Sequence, residues 1–259
     1  MRRLSASIRV ACHVHSEWSY DGKWSLRALA KEFRRRGYDA LLISDHDRHF
    51  SPHRQCEHRR ACAEASDDAM VLIPGIEYSD SSNRIHVLVW GAVPFLGEGL
   101  PTDVVLKHVK AHDGVAVLAH PSRRAAWQVY DSRWSDALTG IEIWNRKADG
   151  WAPSRHALDL TVATGAAAFV GIDFHDSRQM FPLALECQAP CPGTEASILT
   201  SLRSGTFMPT VGGWSIDRVT RGWCGAVASQ AERARRTAAS AYRHLMGAKT
   251  RILPARRMP

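Results

Sequence analysis

Residues 40–46 read ALLISDH, a short apolar run that ends in an acidic residue and a histidine. Consecutive apolar residues of this kind are typical of a strand that is buried on both faces of its sheet. Such a sheet needs helices on both sides, and the same short unit returns along the chain. The segment therefore predicts an α/β fold with polar side chains at the ends of buried strands.

Similar apolar segments occur through the first two thirds of the chain, and most of them contain or precede a histidine or a carboxylate. They cover residues 8–12, 70–74, 85–90, 115–119, 140–145 and 169–172. Helical patterns separate them at residues 25–33, 57–66, 103–112 and 154–164, and the first of these has Ser25 as its expected N-cap and Gly37 as its expected stop. This alternation predicts a parallel sheet, and seven or so strands predict a barrel with its active site at the strand C-termini.

Length and composition fit one large domain. The 259 residues are 45% apolar, which is enough for a single core. The first residues lack the apolar run of a signal peptide, and no segment is long enough to cross a bilayer. We expect a cytoplasmic protein without membrane contact, whose six cysteines are reduced. His53, Cys56, His58 and Cys62 have spacing that a zinc ion could use, but a plain basic helix is the favoured interpretation.

The net charge of +8 is concentrated at the C-terminal end. Residues 214–259 contain ten Lys and Arg against two acidic residues, whereas residues 1–213 contain 24 of each. The division predicts a neutral catalytic barrel at 1–213 and a short basic extension at 214–259, with a helix over 226–247. Nucleic-acid binding by this extension is an alternative to a solvated helix, which is favoured. The oligomeric state is left open.

Nine residues of metal-binding type lie at or near the ends of these segments. Imidazole and carboxylate are preferred ligands of zinc, manganese and iron. His13 and His15 project from one face of a strand end, so both can reach one ion. The complete set is His13, His15, Asp21, His46, Glu77, His86, His120, Asp173 and His175.

The order His-x-His, Asp-His, Gly-Ile-Glu, His, Ala-His-Pro and Gly-x-Asp-x-His resembles the PHP (polymerase and histidinol phosphatase) family of metallohydrolases, over about residues 8–178. The resemblance implies a distorted (β/α)7 TIM-like barrel, two to three divalent ions (Zn, Mn or Fe) and hydrolysis by a metal-bridging hydroxide. Its ligand pattern assigns His13, His15, Glu77 and Asp173 to a first ion, Glu77, His86 and His120 to a second, and Asp21, His46 and His175 to a third.

Three residues are predicted to act in catalysis beside the ions. Asp45 or His175 is expected to supply the proton for the leaving group, and Arg123 is expected to bind the phosphate, with Arg124 as a competitor. Two further residues, Glu142 and Asn145, are expected to support the ligands. The histidines outside these motifs, His58 among them, are expected at the surface.

The leading prediction is a metal-dependent phosphoesterase that acts on a small phosphorylated metabolite or nucleotide. Residues 15–23 and 141–145 also resemble a PHP branch that hydrolyses aryl esters and carbamates, and tryptophans near the ligands could form an aromatic wall for such a substrate. Two further functions are compatible with the sequence, namely a nucleic-acid-linked phosphodiesterase and a metal-binding protein without catalysis.

Overall fold

The computed structural model describes residues 7–189, 193–220 and 222–251, which form two mixed six-stranded β-sheets with helices packed on them. The strands are β1 (Ser7–Val14), β2 (Ala40–Ile43), β3 (Asp45–His46), β4 (Val71–Ile73), β5 (Gly75–Ser79), β6 (His86–Trp90), β7 (Val115–Leu118), β8 (Gly140–Asn145), β9 (Ala167–Gly171), β10 (Leu183–Gln188), β11 (Phe207–Val211) and β12 (Trp214–Ser215). The helices are α1 (Leu26–Arg35), α2 (Pro52–Ala65), α3 (Thr102–Ala111), α4 (Arg146–Asp149), α5 (Arg155–Thr164), α6 (Glu195–Arg203), α7 (Ile216–Thr220) and α8 (Gly222–Arg251).

The two sheets contain both parallel and antiparallel pairs. Their strand orders are β12-β11-β10-β1-β2-β4 and β3-β5-β6-β7-β8-β9. The α/β class is confirmed, but the expectation of a purely parallel sheet is wrong, because β6 is antiparallel to β5 and β7, and β10 is antiparallel to β1 and β11. Residues 80–85 are too few for a helical crossover between β5 and β6, so those strands must run in opposite directions. The (β/α)7 barrel stays a prediction.

Backbone continuity brings the two sheets together around the strand ends. Only Ser44 separates β2 from β3, and only Pro74 separates β4 from β5, so the chain passes there from the first sheet to the second. On the opposite side, Ile172 N donates to Cys12 O at 2.9 Å and His15 N donates to Phe174 O at 2.9 Å. The C-terminal ends of β1, β3, β7 and β9 therefore meet in one region.

Helix α1 forms as its sequence predicts. The Ser25 hydroxyl accepts a hydrogen bond from Ala28 N at 3.2 Å, which satisfies a free amide of the first turn. The helix ends at Arg35, and Gly37 follows in the left-handed region with φ 77°. Helix α2 begins earlier than predicted, because Ser51 caps it and Pro52 provides its first residue.

The candidate zinc ligands of α2 do not gather. His53 and Cys56 are exposed, whereas His58 and Cys62 are buried on the opposite side of the helix. Within the described residues, four cysteines are free thiols, namely Cys12, Cys56, Cys62 and Cys187. Cys191 lies outside the described residues. Among the helices of the described ranges, none has the length and apolar content needed to cross a membrane.

The basic extension forms the predicted helix and contacts the body of the protein. The buried Glu232 of α8 accepts a hydrogen bond from Trp151 N at 3.1 Å. Gly150 has φ 80°, and a Cβ at this position would collide with the Glu232 carboxylate. Helix α8 therefore packs directly against the segment that follows β8, in contrast to a fully solvated helix. The division at residues 213 and 214 stays a prediction.

Candidate metal centre

Glu77 of β5 lies at the centre of the site, with five histidine rings around its buried carboxylate. Its Oε1 lies 2.6 Å from His86 Nδ1 and 3.0 Å from His120 Nε2. Its Oε2 lies 3.3 Å from His13 Nε2, 3.3 Å from His15 Nε2 and 3.2 Å from His46 Nδ1. We refer to Glu77, His13, His86 and His120 as the inner group.

A second set of donors surrounds Asp21 nearer the surface. The Asp21 Oδ2 atom lies 2.9 Å from His175 Nε2 and 3.5 Å from His46 Nε2. The ring of His15 lies 4.1 Å from that of His175, centroid to centroid. We refer to Asp21, His15, His46 and His175 as the outer group.

Asp173 joins the two groups. Its Oδ1 lies 3.8 Å from His13 Nε2, 3.6 Å from His15 Nε2 and 3.3 Å from His175 Nδ1. All nine donors predicted from the sequence therefore lie in one connected cluster. Four sets have donor atoms within 4.8 Å of one another: His13, Glu77 and His120; His13, His15 and Asp173; His46, Glu77 and His86; and His15, Asp21, His46 and His175.

These residues fit divalent metal ions. Three buried donor atoms, His15 Nε2, Asp21 Oδ1 and His120 Nδ1, have no hydrogen-bond partner among the described residues. A buried polar atom without a partner is costly, and metal coordination provides such a partner. The overlapping donor sets and the unpartnered atoms both favour a polynuclear centre.

Metal ligands must be deprotonated, and two of the donors, His15 and Glu77, have pKa values that favour this state. Burial would lower the pKa of His13 and of His46, but nearby carboxylates raise it against this effect. Burial lowers the pKa of His15 to about 3 despite its contact with Glu77, so this imidazole is neutral near pH 7. Burial alone would raise the pKa of Glu77, but the nearby His13, His46 and His86 hold it well below its ordinary value. Both groups therefore present lone pairs.

Three of the donors have strained backbone conformations. His13, His120 and Asp173 have φ angles of 63°, 28° and 52°, a region that costs a non-glycine residue about 1–3 kcal/mol. His13 lies at an irregularity of β1, and the other two come two residues after β7 and β9. Each of these three residues lies where its side chain joins the donor cluster.

Glu142 of β8 supports two inner-group histidines, as expected from the sequence. Its Oε1 lies 2.9 Å from His13 Nδ1, and its Oε2 accepts hydrogen bonds from His120 N at 2.8 Å and Asn145 Nδ2 at 3.0 Å. A Cβ on Gly171 would collide with this carboxylate, so the glycine makes room for it. Contacts of this kind fix the orientation of a ligating imidazole.

Asp45 is placed differently from its predicted role as an acid. Its buried carboxylate accepts hydrogen bonds from Ser16 N and Ser16 Oγ, each at 2.7 Å, and lies 3.0 Å from His58 Nε2. Burial opposes ionisation, but His58 and Ser16 lower the pKa of Asp45 below its ordinary value. These contacts hold the turn after His15, and Asp45 is absent from the lining of the cavity over the donors. His58, predicted at the surface, is buried as its partner.

A cavity of about 320 Å³ opens over the donors. Its lining consists of Tyr20, Asp21, His46, Glu77, Asn83, His86, His120, Arg123, Lys147, Ala148 and Asp173. No tryptophan belongs to this lining within the described residues, so the expected aromatic wall is reduced to Tyr20, whose ring stacks on His46 with centroids 5.0 Å apart.

Arg123 faces this cavity and Arg124 does not line it. The Arg123 guanidinium donates to Asn83 O at 3.0 Å and to Asn83 Oδ1 at 3.2 Å, and lies 3.1 Å from His86 Nε2. The Arg124 guanidinium instead donates to Ser82 O and Asn83 O. The sequence leaves open which of the two arginines binds phosphate, and Arg123 is the one that lies where it can contact an anion in the cavity.

No motif in the sequence identifies Lys147 as a residue of the site. It lies in α4, and its Nζ is 3.4 Å from Asp173 Oδ1 and 3.1 Å from His175 Nε2. The signal that could have identified it is its position two residues after Asn145, at the end of a ligand-supporting strand.

Neither a family model nor a curated protein matches this sequence. Solved structures do share its fold. PsfC from Pseudomonas syringae PB-5123 superposes with a TM-score of 0.61 at 13% identity, over 88% of this chain and 98% of PsfC. Endonuclease Q, solved with a 27-mer duplex substrate that has an abasic lesion at the active site, superposes with a TM-score of 0.53 at 14% identity, over 80% of this chain and 58% of that chain. At these identities the similarity shows the fold alone.

Proposed function

We propose that this protein is a metal-dependent phosphoesterase that hydrolyses a small phosphorylated metabolite or nucleotide. The observation that carries the proposal is the gathering of nine metal-binding side chains beneath a cavity that two cationic side chains, Arg123 and Lys147, also line. The cavity volume of about 320 Å³ suits a small ligand.

The charges around the cavity favour an anionic substrate. Divalent ions in the donor set would supply Lewis acidity and lower the pKa of water. Arg123 can give charge-assisted hydrogen bonds to phosphate oxygens, and Asn83 fixes the direction of its guanidinium. His175, whose Nε2 lies beside Asp21, is the proposed proton donor to the leaving oxygen.

An aryl ester or carbamate hydrolase has less support. Such substrates are uncharged, so they need no arginine, and apart from the predicted ligand histidines the lining within the described residues has one aromatic side chain, Tyr20. Binding of nucleic acid through α8 stays a prediction from charge.

The proposal is tested by stripping the purified protein of metal and reloading it separately with Zn²⁺, Mn²⁺ or Fe²⁺. The substrate panel comprises p-nitrophenyl phosphate, a phosphodiester, nucleoside monophosphates, an aryl acetate and an aryl carbamate. We expect metal-dependent hydrolysis of the monoesters, and we expect His120→Ala to abolish it. The matched control is His112→Ala, which changes an exposed histidine. Hydrolysis confined to the uncharged esters would refute the assignment.

A further inference from the structure

The ammonium group of Lys147 contacts donor atoms that the proposed metal ions would use. Its Nζ lies 3.1 Å from Nε2 of His175, in the outer group, and 3.4 Å from Oδ1 of Asp173. We infer that Lys147 supplies positive charge in place of a third ion, so that this protein binds two divalent ions firmly and a third one weakly. The inference rests on the proposed metal centre and concerns its ion count.

Electrostatics gives the physical reason. An ammonium and a divalent cation that share donor atoms repel each other. The outer group contains one carboxylate, Asp21, against three imidazoles, so it has little negative charge to offset both cations. Asp173, which could add a second carboxylate, is already in contact with Lys147. Competition is therefore stronger in the outer group than around Glu77.

The backbone that bears Lys147 is held by its surroundings. The Asn145 side chain caps α4 by accepting a hydrogen bond from Ala148 N at 2.9 Å, and Asn145 N donates to Asp149 Oδ2 at 2.8 Å. Glu232 of α8 holds the next residues through Trp151 N. The backbone of Lys147 is therefore anchored on both sides, and its partly exposed side chain reaches the donor atoms of Asp173 and His175 from this turn.

A second role for Lys147, binding of substrate phosphate, leads to a different expectation. If the lysine served substrate alone, its removal would change the Michaelis constant and leave the number of bound ions unchanged. The ion count therefore separates the two roles without reference to turnover.

The test uses the full chain, stripped with chelator and then equilibrated with Mn²⁺ or Zn²⁺. Elemental analysis gives the ions per chain, and calorimetric titration gives the affinity of each step. We expect two tightly bound ions in the unaltered protein and three in Lys147→Met, with the third step at least about tenfold tighter than before. Lys147→Arg keeps the charge and should retain two. Lys107→Met, a change of an exposed lysine on α3, is the matched control.

The outcomes separate failure of the inference from failure of the metal centre. Equal ion counts in the unaltered protein and Lys147→Met would overturn the inference and leave the metal centre standing. Binding of no ions by either protein would refute both. Lys147→Gln provides a second neutral variant, and circular dichroism establishes that each variant is folded before its ions are counted.

Discussion

The inner and outer groups differ in burial and in the number of contacts that hold them. Glu77 is 1% exposed and faces five imidazoles, and Glu142 contacts the His13 ring and accepts a hydrogen bond from the backbone N–H of His120. The Asp21 side chain is 30% exposed, and Lys147 reaches the donors beside it. An ion around Glu77 should therefore be held by a rigid shell, whereas an ion around Asp21 should exchange more readily. Three experiments test this difference, and a fourth tests the role of Arg123 in the cavity above both groups.

The largest effect is expected from Glu77→Gln. The change keeps the shape of the side chain but removes the charge at the centre of the inner group, and losing several kcal/mol of charge stabilisation lowers kcat/KM by about 10³-fold or more. The matched change Asp21→Asn should cost roughly ten times less, because Asp21 is partly solvated. Steady-state kinetics on a phosphate monoester measure both, and equal losses would remove the distinction between the groups.

A smaller effect is expected when support for the inner group is removed. Glu142→Gln should weaken metal binding by about 10–100-fold, because the His13 ring and the His120 backbone lose their charged acceptor. Calorimetric titration with Zn²⁺ measures this affinity. Glu186→Gln, a change at a partly exposed carboxylate of β10, should leave it unchanged. An unaltered affinity in Glu142→Gln would show that the inner group needs no such support.

Arg123→Ala should affect substrate binding and leave the ion count unchanged. Loss of a charged hydrogen-bond donor costs about 1.5–3 kcal/mol, which raises KM for a phosphate monoester by roughly tenfold or more. Arg124→Ala is the control, since Arg124 is not among the residues that line the cavity and its guanidinium donates to Ser82 O and Asn83 O. Hydrolysis of an aryl ester should be insensitive to both changes. Equal effects of the two alanines on KM would mean that Arg123 has no special position.

The smallest effect concerns the stability of the metal-free protein at low pH. Neighbouring histidines lower the pKa of Glu77 and of Asp21, in each case against burial, which raises it. A carboxyl group with a lowered folded-state pKa stabilises the protein above its ordinary pKa, and this contribution is lost as the pH falls through the lowered value. The Tm of the metal-free protein should therefore decrease as the pH is lowered below about 4. Glu77→Gln should make this decrease smaller by a few degrees. Thermal melts in chelator measure it, and a larger reduction in Asp21→Asn would contradict the comparison.

Local signals predicted which side chains lie together in the cluster. His13, His120 and Asp173 lie at or just after the ends of apolar strands. When these strands pair, their ends meet in one region and the residues there come together. The cap of α1 is equally local, because Ser25 bonds to an amide three residues along. These features depend on neighbouring residues, so the sequence contains them directly.

Features that depend on distant pairing were missed. The antiparallel direction of β10 depends on its pairing with β1, which lies far from it in the sequence. His58 is buried because Asp45 lies across from it, and nothing near His58 in the sequence indicates that partner. Lys147 has the composition of a surface residue, and only the closeness of β8 to β9 brings it to Asp173.

The contact between Glu232 and Gly150 changes how the role of the C-terminal helix can be studied. Removing residues 214–259 would also remove the carboxylate that Gly150 accommodates, and the turn that bears Lys147 would lose a neighbour. A shortened chain that failed to bind DNA or to turn over substrate would therefore be uninterpretable on its own. Charge reversal at the exposed Arg233, with the helix left in place, alters the outward face of α8 while sparing the joint beneath it.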